Sequence, residues 1–224
     1  MQTNKFWVPG IPVTFATKHE KIWREEVKSA LLYLDSINSL GLKLDFILPT
    51  LAPYCQPLDV DNLCEPVIYA LVGQLKWFSG KRPNIQILIA SKKVGDETGV
   101  LIEIIDEIRN DVIDSNEKII FDEIYSNIFP QSATDTTFPL WIKSKFIKKS
   151  KYERFKLFLE FGSNKINIGN ISSGIVKPII DCLFPIIGGT AGYPEDWRIN
   201  EICILKNKSI INEEFVRIKV LSLD

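Results

Sequence analysis

The chain has 224 residues, 46% hydrophobic and 25% charged, with a formal net charge of −1. That length can bury a substantial core as one large domain or two small ones. The composition is that of a globular protein. The near-neutral charge does not announce a nucleic-acid binder, and no apolar run approaches the roughly 20 residues of a helical membrane span.

The N-terminal stretch "MQTNKFWVPG" lacks an apolar core followed by a cleavage site, so the expected location is cytoplasmic. "KFWVPGIPVTF" reads as a strand interrupted by Pro9, Gly10 and Pro12, suited to a sheet edge or a bulge. "KIWREEVKSALLYLDSI" places Ile22, Trp23, Val27, Ala30, Leu31 and Leu34 at helical spacing. "LGLKLDFILP" alternates apolar and polar residues as a half-buried strand does, and Pro49 stops it. After a polar loop, "QPLDVDNLCEPVIYALVG" opens a helix that runs to about Gly73. "NIQILIASKK" and "GVLIEIIDEI" are strands joined by the turn-rich "VGDET". The order β-α-β-α-β-β describes an α+β unit.

That order recurs. "RFKLFLEF" parallels "GLKLDFIL", and "IVKPIIDCL" parallels "LCEPVIYAL" with Pro178 over Pro66. "RINEICILKNKSIINEEFVRIKV" parallels "NIQILIASKKVGDETGVLIEI", with Lys206 over Lys92. The offsets stay between 112 and 114 residues across all three elements, which points to an internal duplication. Residues 1–110 then form the first copy, and 111–137 a connection with a helical stretch near "EKIIFDEIYSNIF". Residues 138–224 form the second copy, whose N-terminal part is divergent.

Charge is segregated along the chain. Acids dominate from Asp96 to Asn127, and the following run "WIKSKFIKKSKYERFK" carries Lys143, Lys145, Lys148, Lys149, Lys151, Arg154 and Lys156. A basic run of this kind is either a solvated face or a phosphate-contacting surface. Cys55, Cys64, Cys182 and Cys203 form no CxxC pair, so they are read as reduced, buried small hydrophobes rather than zinc ligands. His19 is the single histidine, which excludes any mechanism that needs two. GxGxxG, P-loop and GxSxG motifs are absent from the sequence.

Asp59 and Asp61 stand at the threshold of the second helix. Pro66 belongs in a helix's first turn, which starts the helix near Asp61 or Asn62 and leaves both aspartates on an extended lead-in. Residues i and i+2 point to one side of such a segment, so the two carboxylates can converge on one hard cation such as Mg²⁺. Helix capping competes with that reading. The repeat places Ile171 and Ser173 at these two positions. Ser173 can still cap, so capping accounts for Asp61 but leaves Asp59 unexplained.

The run "DVDNLCEPVIYAL", with "VPGIPV" near the N-terminus and the strand-loop-helix order, resembles the RusA family of Holliday junction resolvases. The resemblance implies two RusA-like units fused in tandem as a pseudo-dimer, with Mg²⁺ as cofactor and branched DNA as partner in repair or recombination. The family motif continues with a lysine and, later, an acidic pair. In the first copy those positions hold Glu65 and Lys81-Arg82, whereas the second copy holds Lys177 and Glu195-Asp196 but lacks the first two aspartates. The resemblance therefore implies an endonuclease with one composite site. Asp59 and Asp61 would bind the metal, Lys177 would reach in from the other copy, and Asp196 or Glu65 would be the third acid. Lys143, Lys145, Lys148, Lys149, Lys151 and Arg154 would contact DNA. The alternative is a catalytically inactive relative that binds DNA or assembles with a protein partner.

Overall fold

The computed structural model describes residues 4–50, 58–78, 85–107, 118–146, 152–163, 166–207 and 214–224. Within them the chain is α+β, built on one mixed sheet of eight strands ordered β1-β4-β2-β3-β9-β6-β10-β5. The first half of the chain supplies β1 (Lys5–Pro9), α1 (Glu20–Leu31), β2 (Gly41–Leu48), α2 (Val60–Ile68), β3 (Ile87–Val94) and β4 (Gly99–Ile105). The second half supplies β5 (Lys118–Tyr125), α3 (Thr137–Lys145), β6 (Phe155–Phe161), α4 (Val176–Asp181) and the single turn α5 (Phe184–Ile187). A two-residue hairpin, β7 (Gly189–Thr190) with β8 (Tyr193–Pro194), leads into β9 (Ile199–Lys206), and β10 (Val216–Ser222) follows.

Read inward from either edge, the sheet follows one rule: first, last, second and third long strand of that half of the chain. The second and third strands pair in parallel in both halves, β2 with β3 and β6 with β9. The halves meet where β3 and β9 pair antiparallel, with Ile89 opposite Cys203.

Strand alternation sets the layers. Leu42, Leu44, Phe46, Leu88, Ala90, Val100 and Ile102 from one half join Leu157, Leu159, Ile202, Ile204, Ile218 and Val220 from the other in one core. The helices pack on that face, α1 through Trp23, Val27 and Leu31 at spacings of four, while Ile22 stays exposed. The opposite face carries a small apolar cluster of Ile87, Phe158, Cys203 and Leu205 at the sheet centre. Cys64, Cys182 and Cys203 are buried free thiols, and Cys55 lies outside the described residues. No helix among the described residues is long and apolar enough to cross a membrane.

The interval 111–137 is more than a connection. Its expected helical stretch is strand β5 over Lys118–Tyr125, which covers the edge of β10. Phe121 and Tyr125 sit four apart, which imitates helical spacing, but the open edge of β10 wins the segment. Both aromatics then receive α3, with Tyr125 4.8 Å from the rings of Phe138 and Trp141. Asp135 caps that helix by accepting the Phe138 amide at 3.0 Å.

Candidate metal centre

The second helix starts earlier than its sequence suggests. Asp59 occupies the N-cap position with extended backbone, and Asp61 already lies in the first turn of α2. Val60, Leu63, Cys64 and Val67 bury the inner face of this helix and fix its start against the sheet. Asp59 nevertheless makes no cap hydrogen bond; its carboxylate accepts the Asn62 side-chain amide at 2.8 Å. The two carboxylates converge because one precedes the first turn and the other is in it, not because an extended lead-in aligns them. Ser173 is no cap either, since α4 begins beyond it at Val176 and its hydroxyl donates to Glu65.

Pro66 lies inside α2 rather than in its first turn. Its ring removes the N–H that would reach the Asn62 carbonyl. That carbonyl accepts the Phe15 amide at 2.9 Å instead, which ties the N-terminal loop to the helix of the aspartates. Beyond Pro66 the winding loosens, and Tyr69–Gln74 continue as a π-helix closed by Leu75 N–H on the Ala70 carbonyl at 3.0 Å.

The third carboxylate arrives from the other half of the chain. Gly188 and Gly189 adopt φ values of +106° and +91°, a region open to glycine, and reverse the chain into the β7–β8 hairpin. A side chain at Gly188 would strike Glu195 Oε2, 2.3 Å from the Cβ position. Arg198 holds the return, donating to Glu195 Oε2 at 3.0 Å and to the Ile187 carbonyl at 2.9 Å. Glu195 is thereby turned toward Arg198, and its neighbour Asp196 is buried.

Asp59, Asp61 and Asp196 offer carboxylate oxygens that all lie within 4.8 Å of one another. Lys177, in the first turn of α4, enters the same space. Its ammonium is 2.6 Å from Asp196, 2.9 Å from Asp181 and 3.2 Å from Asp61. The four sequence-predicted residues Asp59, Asp61, Lys177 and Asp196 are thus brought together, two from each half of the chain. Glu65, the other proposed third acid, instead accepts the Ser172 amide at 3.1 Å and the Ser173 hydroxyl at 3.3 Å.

Two further participants were not among the expected site residues. Asp181 is legible only as an acid four residues after Lys177 on one helix face. Lys92, near the end of β3, donates to the Leu58 carbonyl at 2.5 Å and the Trp197 carbonyl at 2.6 Å. Those carbonyls neighbour Asp59 and Asp196, so one ammonium stitches the two lead-ins of the cluster. Its place at a strand end gave no warning of this.

The electrostatics follow from burial and from like charges. Burial, then the nearby Asp196 carboxylate, pushes the Asp59 carboxyl up to about 7. Burial likewise raises Asp61, against the pull of Lys177, and lifts Asp181 to about 6. Burial also brings Lys92 down to about 8. Lys177 is opposite: burial is its largest single influence and disfavours charge, yet Asp61, Asp196 and Asp181 together hold its ammonium above the usual lysine range. Four carboxylates face two ammoniums. Asp61 is 1% exposed, and its Oδ2 accepts no well-directed hydrogen bond although Lys177 lies within ion-pair distance. An oxygen-only donor set of converging carboxylates that outnumber the nearby ammoniums fits a hard divalent cation such as Mg²⁺.

The described residues of the expected DNA-contacting run lie at separate places. Lys143 and Lys145 end α3, with Lys143 5.5 Å from the Phe184 ring, while Arg154 pairs with Asp224 at 3.1 Å. Lys156 reaches Glu201 on the far face of the sheet. Lys148, Lys149 and Lys151 lie outside the described residues, as do Lys81 and Arg82. His19 sits at the start of α1. Neither a scan against protein-family models nor a search of curated proteins finds a match to this chain.

Proposed function

We propose that the chain is a RusA-like, Mg²⁺-dependent endonuclease of branched DNA, built as two RusA-like units in tandem with one composite site. The observation that carries this reading is the convergence of Asp59, Asp61 and Asp196 within 4.8 Å, beside a buried lysine from the opposite half. The tandem arrangement is supported by the repeated strand rule of the sheet and by the central pairing. Ile87 faces Leu205 and Ser91 faces Glu201, so counterparts 114 residues apart exchange partners as in an isologous interface.

Asp59, Asp61 and Asp196 would hold the ion. A bound Mg²⁺ supplies an activated water and charge stabilisation at a phosphodiester. Lys177 is held protonated by three carboxylates, so it contributes fixed positive charge and is not the base. Burial beside the other acids raises the Asp59 carboxyl in the metal-free chain, so binding of the ion would release a proton from it. Lys92 spends its ammonium on two backbone carbonyls and keeps the acids in place. The basic run through Lys143, Lys145 and Arg154 is the proposed DNA contact, by charge.

Asp59→Asn is expected to lower Mg²⁺-dependent cutting of four-way or flapped DNA by about a hundredfold or more, with DNA binding retained. The salt bridges of Lys177 favour a second reading, because an ammonium already sits among the acids. On that reading the chain is an inactive DNA-binding or assembly subunit. Wild-type protein that binds but never cuts, with Mg²⁺ or Mn²⁺, would select it.

A further inference from the structure

The repeat makes a second centre of the same design possible in principle, and its place is visible. Asp61 lies 3.2 Å from Lys177. At the 112-residue offset their counterparts are Ser173 and Glu65, which lie 3.3 Å apart. The same two places therefore meet twice across the halves. In the first meeting, carboxylate faces ammonium beside Asp59 and Asp196.

In the second, the Glu65 carboxylate takes both of its contacts from neutral donors, the Ser172 amide and the Ser173 hydroxyl. Ile171, the counterpart of Asp59, is fully buried in the apolar core. Ser172 adds a bond from its hydroxyl to the Asp61 carbonyl at 2.9 Å, so this meeting fastens the first centre in place. A carboxylate already occupied by neutral donors, with an isoleucine at the place of Asp59, does not make a divalent cation site.

Resting on the nuclease reading above, we infer that the described residues carry a single metal centre and that the chain cuts one strand per binding event, nicking two-fold symmetric branched DNA. In that event a water oxygen bonds to phosphorus and one P–O bond to a sugar oxygen breaks. The released sugar oxygen leaves as a hydroxyl with one proton of the water, and the other end keeps a phosphate monoester. One water is consumed and nothing is oxidised or reduced. Cutting the opposing strand requires release, a half-turn about the two-fold axis of the junction, and rebinding.

The test uses the full chain on a supercoiled plasmid whose inverted repeat is extruded as a cruciform. Mg²⁺ is added together with an excess of unlabelled four-way junction as a trap. Nicked circles are expected as the product with and without the trap, because one nick relaxes the supercoil and the cruciform is reabsorbed before a chain can rebind and cut again. Linear product appearing under the trap as fast as nicks overturns the inference while leaving the nuclease reading intact. No cutting at all overturns that reading and this inference with it. Mn²⁺ titration followed by electron paramagnetic resonance supplies a readout independent of cutting. One bound Mn²⁺ per chain, weakened in Asp59→Asn, is expected, and a second Mn²⁺ per chain that this variant leaves unchanged overturns the single centre.

Discussion

Asp59 stands where a capping residue stands and does not cap. A carboxylate placed at a helix start without that bond is available to something else, and its burial beside Asp61 and Asp196 sets its titration. Its folded value, about 7, lies above that of an exposed aspartate. In the metal-free chain its contribution to stability is therefore fully present below about pH 4 and lost as pH rises through about 7. A divalent ion must displace the same proton. Mg²⁺ affinity should climb roughly tenfold per pH unit below neutrality and level off above it. Calorimetric titration from about pH 5.5 to 8.5 checks this. A flat profile would remove Asp59 from the ligand set.

At the scale of elements, the strands and the order of the first half were legible, because alternation over Gly41–Leu48 and Ile87–Val94 follows from a one-sided core. The start of α2 departs from its pattern because Pro66, usually a first-turn residue, is tolerated inside the helix by passing the Asn62 carbonyl to Phe15. β5 departs because the spacing of Phe121 and Tyr125 suits a helix until β10 offers an edge. Lys92 joins elements that are far apart in sequence, and no local pattern could announce that bond. Lys92→Met should cost about 2–3 kcal/mol by leaving the Leu58 and Trp197 carbonyls without their donor. Chemical denaturation of the metal-free protein measures it, and a loss below about 0.5 kcal/mol would make the stitch dispensable.

At the scale of the whole molecule, each half of the chain taken alone holds only part of the proposed centre. Asp59 and Asp61 keep the acids but face Glu65, and Lys177 and Asp196 keep the complement but face Ile171 and Ser173. Contacts that cross between the halves turn this into a simpler pattern. The retained residues all belong to one place, and the replaced ones that are described belong to the other. Sequence could list the parts of the centre but not which copies meet, since that depends on the antiparallel pairing of β3 with β9. An ion held by both halves should also brace the entire chain. At a hundredfold excess over its dissociation constant, Mg²⁺ should add about 2.7 kcal/mol. For a chain of this size that raises the melting temperature by roughly 5–10 °C. Thermal unfolding with and without Mg²⁺ tests it, and Asp59→Asn should show no such rise.

The hairpin that turns Asp196 inward also leaves its neighbour Trp197 43% exposed while the backbone carbonyl of that residue stays pinned by Lys92. Trp23 and Trp77 are 1% exposed in the core. The molecule thus carries its own lamp beside the acids, and replacing the exposed Trp7 with Phe would leave it against a more buried background. Loading of the proposed centre would then be read from light emitted next to it, without attaching any dye.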